Sequence, residues 1–263
     1  MVHGNPTWSY YYRNAVVALS DYYRTIVPDH IGCGYSDKPD DSRYRYTLRQ
    51  RVDDLESLLD HLALKENVTL VLHDWGGMIG MAYAIRHPER IKRLVLFNTA
   101  AFHLPKEKKL PLSLWLVRNT SAGAFSVRYF NAFSRGAAWI GCTRNRMSRD
   151  LRNAYCAPYN TPANRIATLR FVQDIPLNPG DPAYDLVSET QRALEEGQFQ
   201  HLPTLICWGM KDFVFDHHFL NRWKTYLPQA EIHEFAESGH YVLEDTSDTI
   251  IPLMQQFLKK HPL

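Results

Sequence analysis

A chain of 263 residues, 45% hydrophobic and 13% aromatic, holds enough apolar material for one large domain, or one domain carrying an inserted subdomain. Thirty Lys and Arg against 28 Asp and Glu leave a net charge of +2, which gives no footprint for a nucleic-acid partner, and no apolar run is long enough for a transmembrane segment. The four cysteines, Cys33, Cys142, Cys156 and Cys207, form no C-x-x-C pair, which argues against a zinc site, a redox dithiol or a disulfide framework and makes a reducing cytoplasm the default location.

The chain opens on His3-Gly4-Asn5-Pro6, a loop in which Pro6 fixes a turn directly after the last residues of a strand. No charged segment followed by an apolar one precedes it, so no secretion signal is expected. A helical stretch is expected over 11–19 and a short strand over 25–28, followed by a turn-rich loop over 29–39. Leu48, Val52, Leu55, Leu59 and Leu62 recur at the spacing of one amphipathic helix. Residues 68–73 are an apolar, β-branched-rich run of strand length. Asp74, Trp75, Gly76 and Gly77 follow at once, and then Met78, Met81, Ala82 and Ile85 at helical spacing, stopping before Pro88. Residues 91–97 read as a second buried strand, ended by Asn98.

From 103 to 178 the character changes. The segment is helical, rich in aromatic residues and punctuated by Pro105, Pro111, Pro158, Pro162 and Pro176. It reads as a helical cap inserted into a core made of residues 1–102 and 179–263. Strands return at 204–208 and 231–235, and a last amphipathic helix carries Ile250, Leu253, Met254, Phe257 and Leu258. Strands alternating with helices imply an α/β fold with a mostly parallel sheet covered on both faces. The basic runs at 43–51 and 106–109 read as solvated faces. His217 and His218 lack partners at metal-ligand spacing and read as surface, so no metal site is expected.

Strand, sharp turn, helix is the geometry of a nucleophile elbow, and Asp74 occupies the nucleophile position. The plain alternative is a helix N-cap, a common role for Asp. A nucleophile needs a base, a group to orient that base, and donors for developing negative charge. His240 is the candidate base, against the alternative of a solvated histidine. Asp212, after the strand at 204–208, is the candidate acid, with Asp216 as its nearest competitor and Glu237 and Glu244 close to His240 in sequence alone. The order nucleophile, acid, histidine is that of enzymes built on such elbows. The backbone N–H groups of Asn5 and Trp75, the Asn5 side-chain amide and the Trp75 indole N–H are the candidate donors. They suit a large, weakly hydrated anion or a leaving oxygen. Ordinary packing for Trp75 and a turn role for Asn5 are the alternatives.

With these residues assembled, the chain resembles the haloalkane dehalogenases of the α/β-hydrolase fold over nearly its whole length. The resemblance rests on HGNPTWS at 3–9, PDHIGCGYSDKP at 28–39, HDWGG at 73–77, GMKD at 209–212 and SGH at 238–240. It implies Asp74 as nucleophile, His240 as base, Asp212 as acid, and Asn5 with Trp75 as the leaving-group-stabilising pair; no cofactor is expected. One subfamily places its acid after the earlier strand, where this chain has Asn98. An acid after the later strand, with an Asn–Trp pair, looks like the third subgroup, which overlaps the β-lactone decarboxylases of long-chain olefin biosynthesis. HGNPTWSYYYRN and PDHIGCGYSDKP look closest to those decarboxylases.

A small apolar substrate, β-lactone or haloalkane, is therefore implied, and association with other olefin-biosynthesis enzymes becomes conceivable. A long dialkyl substrate needs an apolar tunnel, for which Leu112, Leu114, Trp115, Leu116, Phe125, Phe130 and Phe133 are candidates, with core packing as the alternative. A dehalogenase proper is the first alternative activity. An epoxide hydrolase is a second, with Tyr129, Tyr155 and Tyr159 as candidate cap tyrosines, although that family usually has an aromatic residue where Asn5 stands. A non-enzymatic binder or an inactive fragment is the reading from another class. In the family, two strands and most of a third precede HGNP, and these are expected to be missing here, the third belonging between residues 25–28 and 68–73.

Overall fold

The computed structural model describes residues 1–263. Strands β1 (Val68–Asp74), β2 (Ile91–Thr99), β3 (Thr204–Gly209) and β4 (Glu231–Phe235) lie side by side in that order, each pair parallel. Side chains alternate between the two faces. Leu70, Leu72, Leu94, Leu96, Ile206 and Trp208 belong to one core, whereas Val71, Val95, Phe97, Leu205 and Cys207 belong to the other. A strand buried on both faces has no polar side, which is why the central strands read as unbroken apolar runs. β4 is an edge strand, and its Glu231, His233 and Glu234 stay partly or fully exposed.

Helices α1 (Arg13–Leu19), α2 (Leu48–His61) and α3 (Trp75–Arg86) belong to the first half of the chain. Between β2 and β3 run α4 (Leu112–Asn119), α5 (Ser121–Phe130), α6 (Ala132–Ile140), α7 (Arg149–Cys156), α8 (Ile166–Gln173) and α9 (Tyr184–Glu195). α10 (His217–Tyr226), α11 (Val242–Asp245) and α12 (Ser247–Lys260) complete the chain. α2, α3, α9 and α10 cover one face of the sheet through residues such as Val52, Ile79, Leu186 and Trp223. α1, α11 and α12 cover the other through Leu19, Val242 and Met254. The amphipathic spacing expected of α2 is realised: Leu48, Val52, Leu55 and Leu59 are buried, Leu62 just past its end is partly so, and Thr47 caps the helix by accepting from the Gln50 N–H at 3.4 Å.

Three local expectations change. Residues 25–28 form no strand. A strand exists only as a rung of a ladder, and the neighbouring segment offers them a single hydrogen bond, from the Met1 amino group to the Ile26 carbonyl at 2.8 Å. That segment itself touches the sheet at one residue, Val2, which bridges Leu72 in parallel. β2 runs on through Asn98 to Thr99, although Asn98 takes a positive φ of 28°. The helix expected from residue 11 begins as a 3₁₀ turn over Ser9–Tyr12 and becomes α-helical only at Arg13.

Candidate active site

Asp74 ends β1 at φ 52° and ψ −126°, a conformation that costs a non-glycine residue about 1–3 kcal/mol and persists only where surroundings enforce it. The surroundings are specific. The Thr99 hydroxyl donates to the Asp74 carbonyl at 2.5 Å, and the Asn5 backbone N–H donates to Oδ1 of its side chain at 2.6 Å. Directly after the bend, a Cβ on Gly76 would stand 2.0 Å from the Val2 carbonyl oxygen, so only glycine lets α3 begin there. The Asp74 side chain makes no capping bond to α3.

Gly4 packs onto the carboxylate itself, and a Cβ there would lie 2.0 Å from Oδ1. Gly4→Ala is therefore expected to push the carboxylate aside and to lower turnover about 10²-fold, the scale on which a 1 Å misplacement acts. Steady-state kinetics beside a melting curve check this, and wild-type turnover in a folded variant would contradict the packing argument.

His240 sits in the loop after β4. Its Nε2 is 3.5 Å from Oδ2 of Asp74, and its Nδ1 donates to Oδ2 of Asp212 at 2.8 Å. The Asp212 side chain is fully buried, and its Oδ1 accepts from the Val214 N–H at 2.8 Å. Phe215 stacks on the His240 ring at 5.8 Å, and His73 Nε2 donates to the His240 carbonyl at 2.9 Å. The competing carboxylates are engaged elsewhere. Asp216 caps α10 through the His218 N–H and pairs with Lys108. Glu237 pairs with Lys211, and Glu244 with Arg13 and Tyr155.

Burial pushes the Asp74 carboxyl above the usual Asp range; the His240 charge and the backbone N–H groups of Asn5 and Trp75 pull it back only in part. Burial opposes charge on His240 too, but the Asp212 carboxylate, its hydrogen bond and then Asp74 outweigh that, and hold the imidazole pKa above its ordinary value. His73, equally buried and facing His240, is driven well below the ordinary value and stays neutral.

Several residues that build the site carry no motif. Asn98 donates to the Gly209 carbonyl at 2.9 Å and accepts from the Gly209 N–H at 2.8 Å, which ties the end of β2 to the start of the loop bearing Asp212. Asp245 accepts from the Gly239 N–H at 2.7 Å and the Thr143 N–H at 2.9 Å, joining the His240 loop to the turn after α6. The unusual φ of Asn98 is a structural signal. In sequence, only its place at a strand end could have marked it.

The site opens into a cavity of about 470 Å³, lined mainly by apolar side chains with Asn5, Asp74, Trp75 and His240 at its base. The placement of Asn5 differs from expectation. One hydrogen of its amide is taken by the Thr168 carbonyl at 3.0 Å, because α8 passes directly over the loop, and its Oδ1 has no partner. Of the expected tunnel residues, Leu114, Leu116 and Phe133 line the cavity. Leu112, Trp115, Phe125 and Phe130 do not; they point outward and are 70%, 47%, 51% and 64% exposed, so neither the tunnel nor the core takes them. None of Tyr129, Tyr155 and Tyr159 lines the cavity. Tyr129 is solvent-exposed, Tyr155 bonds Glu244, and Tyr159 donates to the Thr7 carbonyl, so the acids an epoxide hydrolase needs are not in place. His217 and His218, expected to lack partners, have one in the adjoining Asp216, whose carboxylate lies within 4.8 Å of both and is already held by Lys108 and the His218 N–H.

A model of the alpha/beta hydrolase fold matches residues 1–247. A cis-3-alkyl-4-alkyloxetan-2-one decarboxylase from Shewanella oneidensis is 62% identical over 258 residues, 98% of this chain and 80% of that protein. One from Xanthomonas campestris is 50% identical over 268 residues, 100% of this chain and 88% of that protein. The crystal structure of the haloalkane dehalogenase DatA from Agrobacterium tumefaciens C58 superposes with a TM-score of 0.86 at 26% identity, covering 99% of this chain and 88% of that one.

Proposed function

The chain belongs to the α/β-hydrolase fold family, in the branch that holds oxetanone decarboxylases and haloalkane dehalogenases, and on that premise we propose that it opens a cis-3,4-dialkyl β-lactone on Asp74 and releases carbon dioxide and an alkene. The observation that carries the lactone over the alkyl halide is the degree of identity to the decarboxylases, far above that to DatA. Residues 103–178 act as the cap over a core of 1–102 and 179–263.

The chemistry follows from the array. Oδ2 of Asp74 attacks ring carbon C4 from the side opposite the ring oxygen. The C4–O bond breaks, strain is released, and an ester of Asp74 forms beside a free substrate carboxylate. The C2–C3 bond then breaks, and its electron pair becomes the C3=C4 double bond. The C4–O bond to Asp74 breaks in the same step and returns its pair to the carboxylate. Backside attack leaves the Asp74 oxygen anti to the departing carboxylate, so the alkyl groups stay on one side and the alkene is cis. No water is consumed and no proton moves.

Trp75, the second amide hydrogen of Asn5 and His240 in its protonated form stabilise the carboxylate that forms. Asp212 favours the charged form of His240, and charge on His240 in turn favours the ionised form of Asp74 against the burial that opposes it. Halide hydrolysis asks for the opposite state, a neutral His240 to activate water, so the two activities should separate along the pH axis, with the raised imidazole pKa delaying the hydrolytic one. A cytoplasmic location and association with the enzymes that form the lactone belong to the same reading, the latter testable by co-purification.

The test is product analysis across pH. A cis-β-lactone is expected to give cis-alkene and CO2 in equal amounts, with no ¹⁸O from labelled water entering Asp74. A bromoalkane should turn over slowly to alcohol and bromide. Alkene formation needs ionised Asp74, so it should hold at neutral pH and fall on acidification, beginning above the ordinary Asp range because burial raises that pKa. Bromide turnover needs neutral His240, so it should rise with pH through a value above the ordinary histidine pKa. Faster bromide than alkene release, or coincident profiles, would reverse the assignment.

A further inference from the structure

Residues 103–165 hold eleven Lys and Arg and only two carboxylates, Glu107 and Asp150, in a chain whose totals are 30 and 28. Four of the eleven converge on one cleft of about 620 Å³ between α6, α7 and residues 157–165. The cleft is separate from the cavity over Asp74. α6 divides them: Phe133, Gly136 and Ala137 face the cavity, whereas Arg135, Ala138 and Trp139 line the cleft.

Arg135, Arg149, Arg152 and Arg165 all line it, and no carboxylate does. Arg165 is buried, yet its guanidinium reaches only neutral acceptors: the carbonyls of Tyr159 at 2.7 Å, Arg128 at 2.8 Å, Tyr129 at 3.1 Å and Asn160 at 3.1 Å. Burial, and then the neighbouring Arg135, lower its pKa. Arg152 lies 4.0 Å over the Trp139 ring and donates to the Met147 carbonyl at 2.5 Å. Arg135 and Arg149 are exposed and take part in no ion pair. A second observation points to a ligand. Asn131 lines the cleft, is 5% exposed, and its Oδ1 has no hydrogen-bond partner. Buried polar atoms are rarely left so, and the amide can turn its NH2 toward an anion instead.

We propose that this cleft is a binding site for a phosphate group, gripped by the guanidinium forks of Arg135 and Arg149 at the rim, with Arg152, Arg165 and the Asn131 amide beneath. Planar forks match the oxygens of phosphate in pairs, and unneutralised charges held close together are relieved by an anion. The group can come from a soluble phosphate or from the headgroup of an anionic lipid. The exposed, stacked Phe125 and Tyr129 lie on α5, whose last carbonyls Arg165 holds.

The test uses the full chain with two probes: inorganic phosphate by calorimetry, and flotation with vesicles of phosphatidylcholine alone or mixed with phosphatidylglycerol. Arg135→Gln/Arg149→Gln is compared with Lys106→Gln/Lys109→Gln, which removes equal charge elsewhere on the same segment, with melting curves checking the fold of each. At least tenfold weaker binding in the arginine pair alone supports the site. A loss seen with phosphate identifies a soluble ligand, and one seen only with phosphatidylglycerol vesicles identifies a headgroup. Equal losses in both pairs, binding that survives the arginine changes, or no binding of either probe by the wild type overturns it.

Discussion

Replacing Asp74 by Asn is expected to lower alkene formation from a cis-3,4-dialkyl β-lactone on the order of 10⁴-fold or more, the scale on which loss of a covalent nucleophile acts. The amide nearly matches the carboxylate in shape. Its oxygen can still accept from the Asn5 N–H, which stands 2.6 Å from Oδ1 in the wild type. The strained backbone at φ 52° is held by Thr99 and by the adjoining strand and helix, not by the charge of the side chain. Fold and cavity should therefore survive while the nucleophile is lost, because a neutral amide does not open the ring at C4. Gas chromatography of the alkene beside a melting curve separates the two effects. A folded variant that keeps a tenth of wild-type turnover would sink the assignment of Asp74.

His240→Ala is expected to divide the two reactions that one elbow can run. With a bromoalkane, alkylation of Asp74 needs only the carboxylate and the anion donors. Release needs water activated by a base, a contribution of about 10²–10⁴-fold. The variant should accumulate an alkyl ester, seen by mass spectrometry on the peptide containing Asp74, and turnover should stop after one equivalent. With the β-lactone, expulsion of CO2 frees Asp74 without water, so alkene formation should continue at a reduced rate. The reduction reflects loss of the imidazole whose Nε2 stands 3.5 Å from Oδ2 and whose protonated form stabilises developing negative charge. Arrest of both reactions as stable esters would show that the lactone route also depends on a base. Labelling at another residue would remove Asp74 from the mechanism altogether.

The parts of this site that were legible in sequence are those whose geometry is local. A strand, a bend and a helix in succession place Asp74 whatever the rest of the chain does. The apolar spacing of α2 and the unbroken apolar runs of β1, β2 and β3 are local in the same sense. Nearness to the strand end favours Asp212 over Asp216 in sequence, but the contacts that separate the two are not local. Four residues apart in one loop, they are separated by what the loop meets: Asn98 pins its start at Gly209, His240 arrives from the far side of β4, and Asp216 turns away to cap α10. The cap was legible as helices but not as faces. Its helices carry apolar residues on more than one side, so periodicity could not say that Leu114 and Phe133 meet the cavity while Trp115 and Phe125 meet solvent.

Sequence by itself determined the fold class, the elbow and the set of residues from which a nucleophile, base and acid could be drawn, because those depend on short-range spacing and on the identity of side chains. Tertiary structure alone decided that residues 25–28 stay out of the sheet, that Asn5 gives half of its amide to α8, and that four arginines spread over 31 positions close on one cleft. Each of these outcomes is set by a partner distant in the chain. A ladder needs a neighbouring strand, a buried amide needs a facing carbonyl, and like charges gather only where the backbone has already brought their helices together.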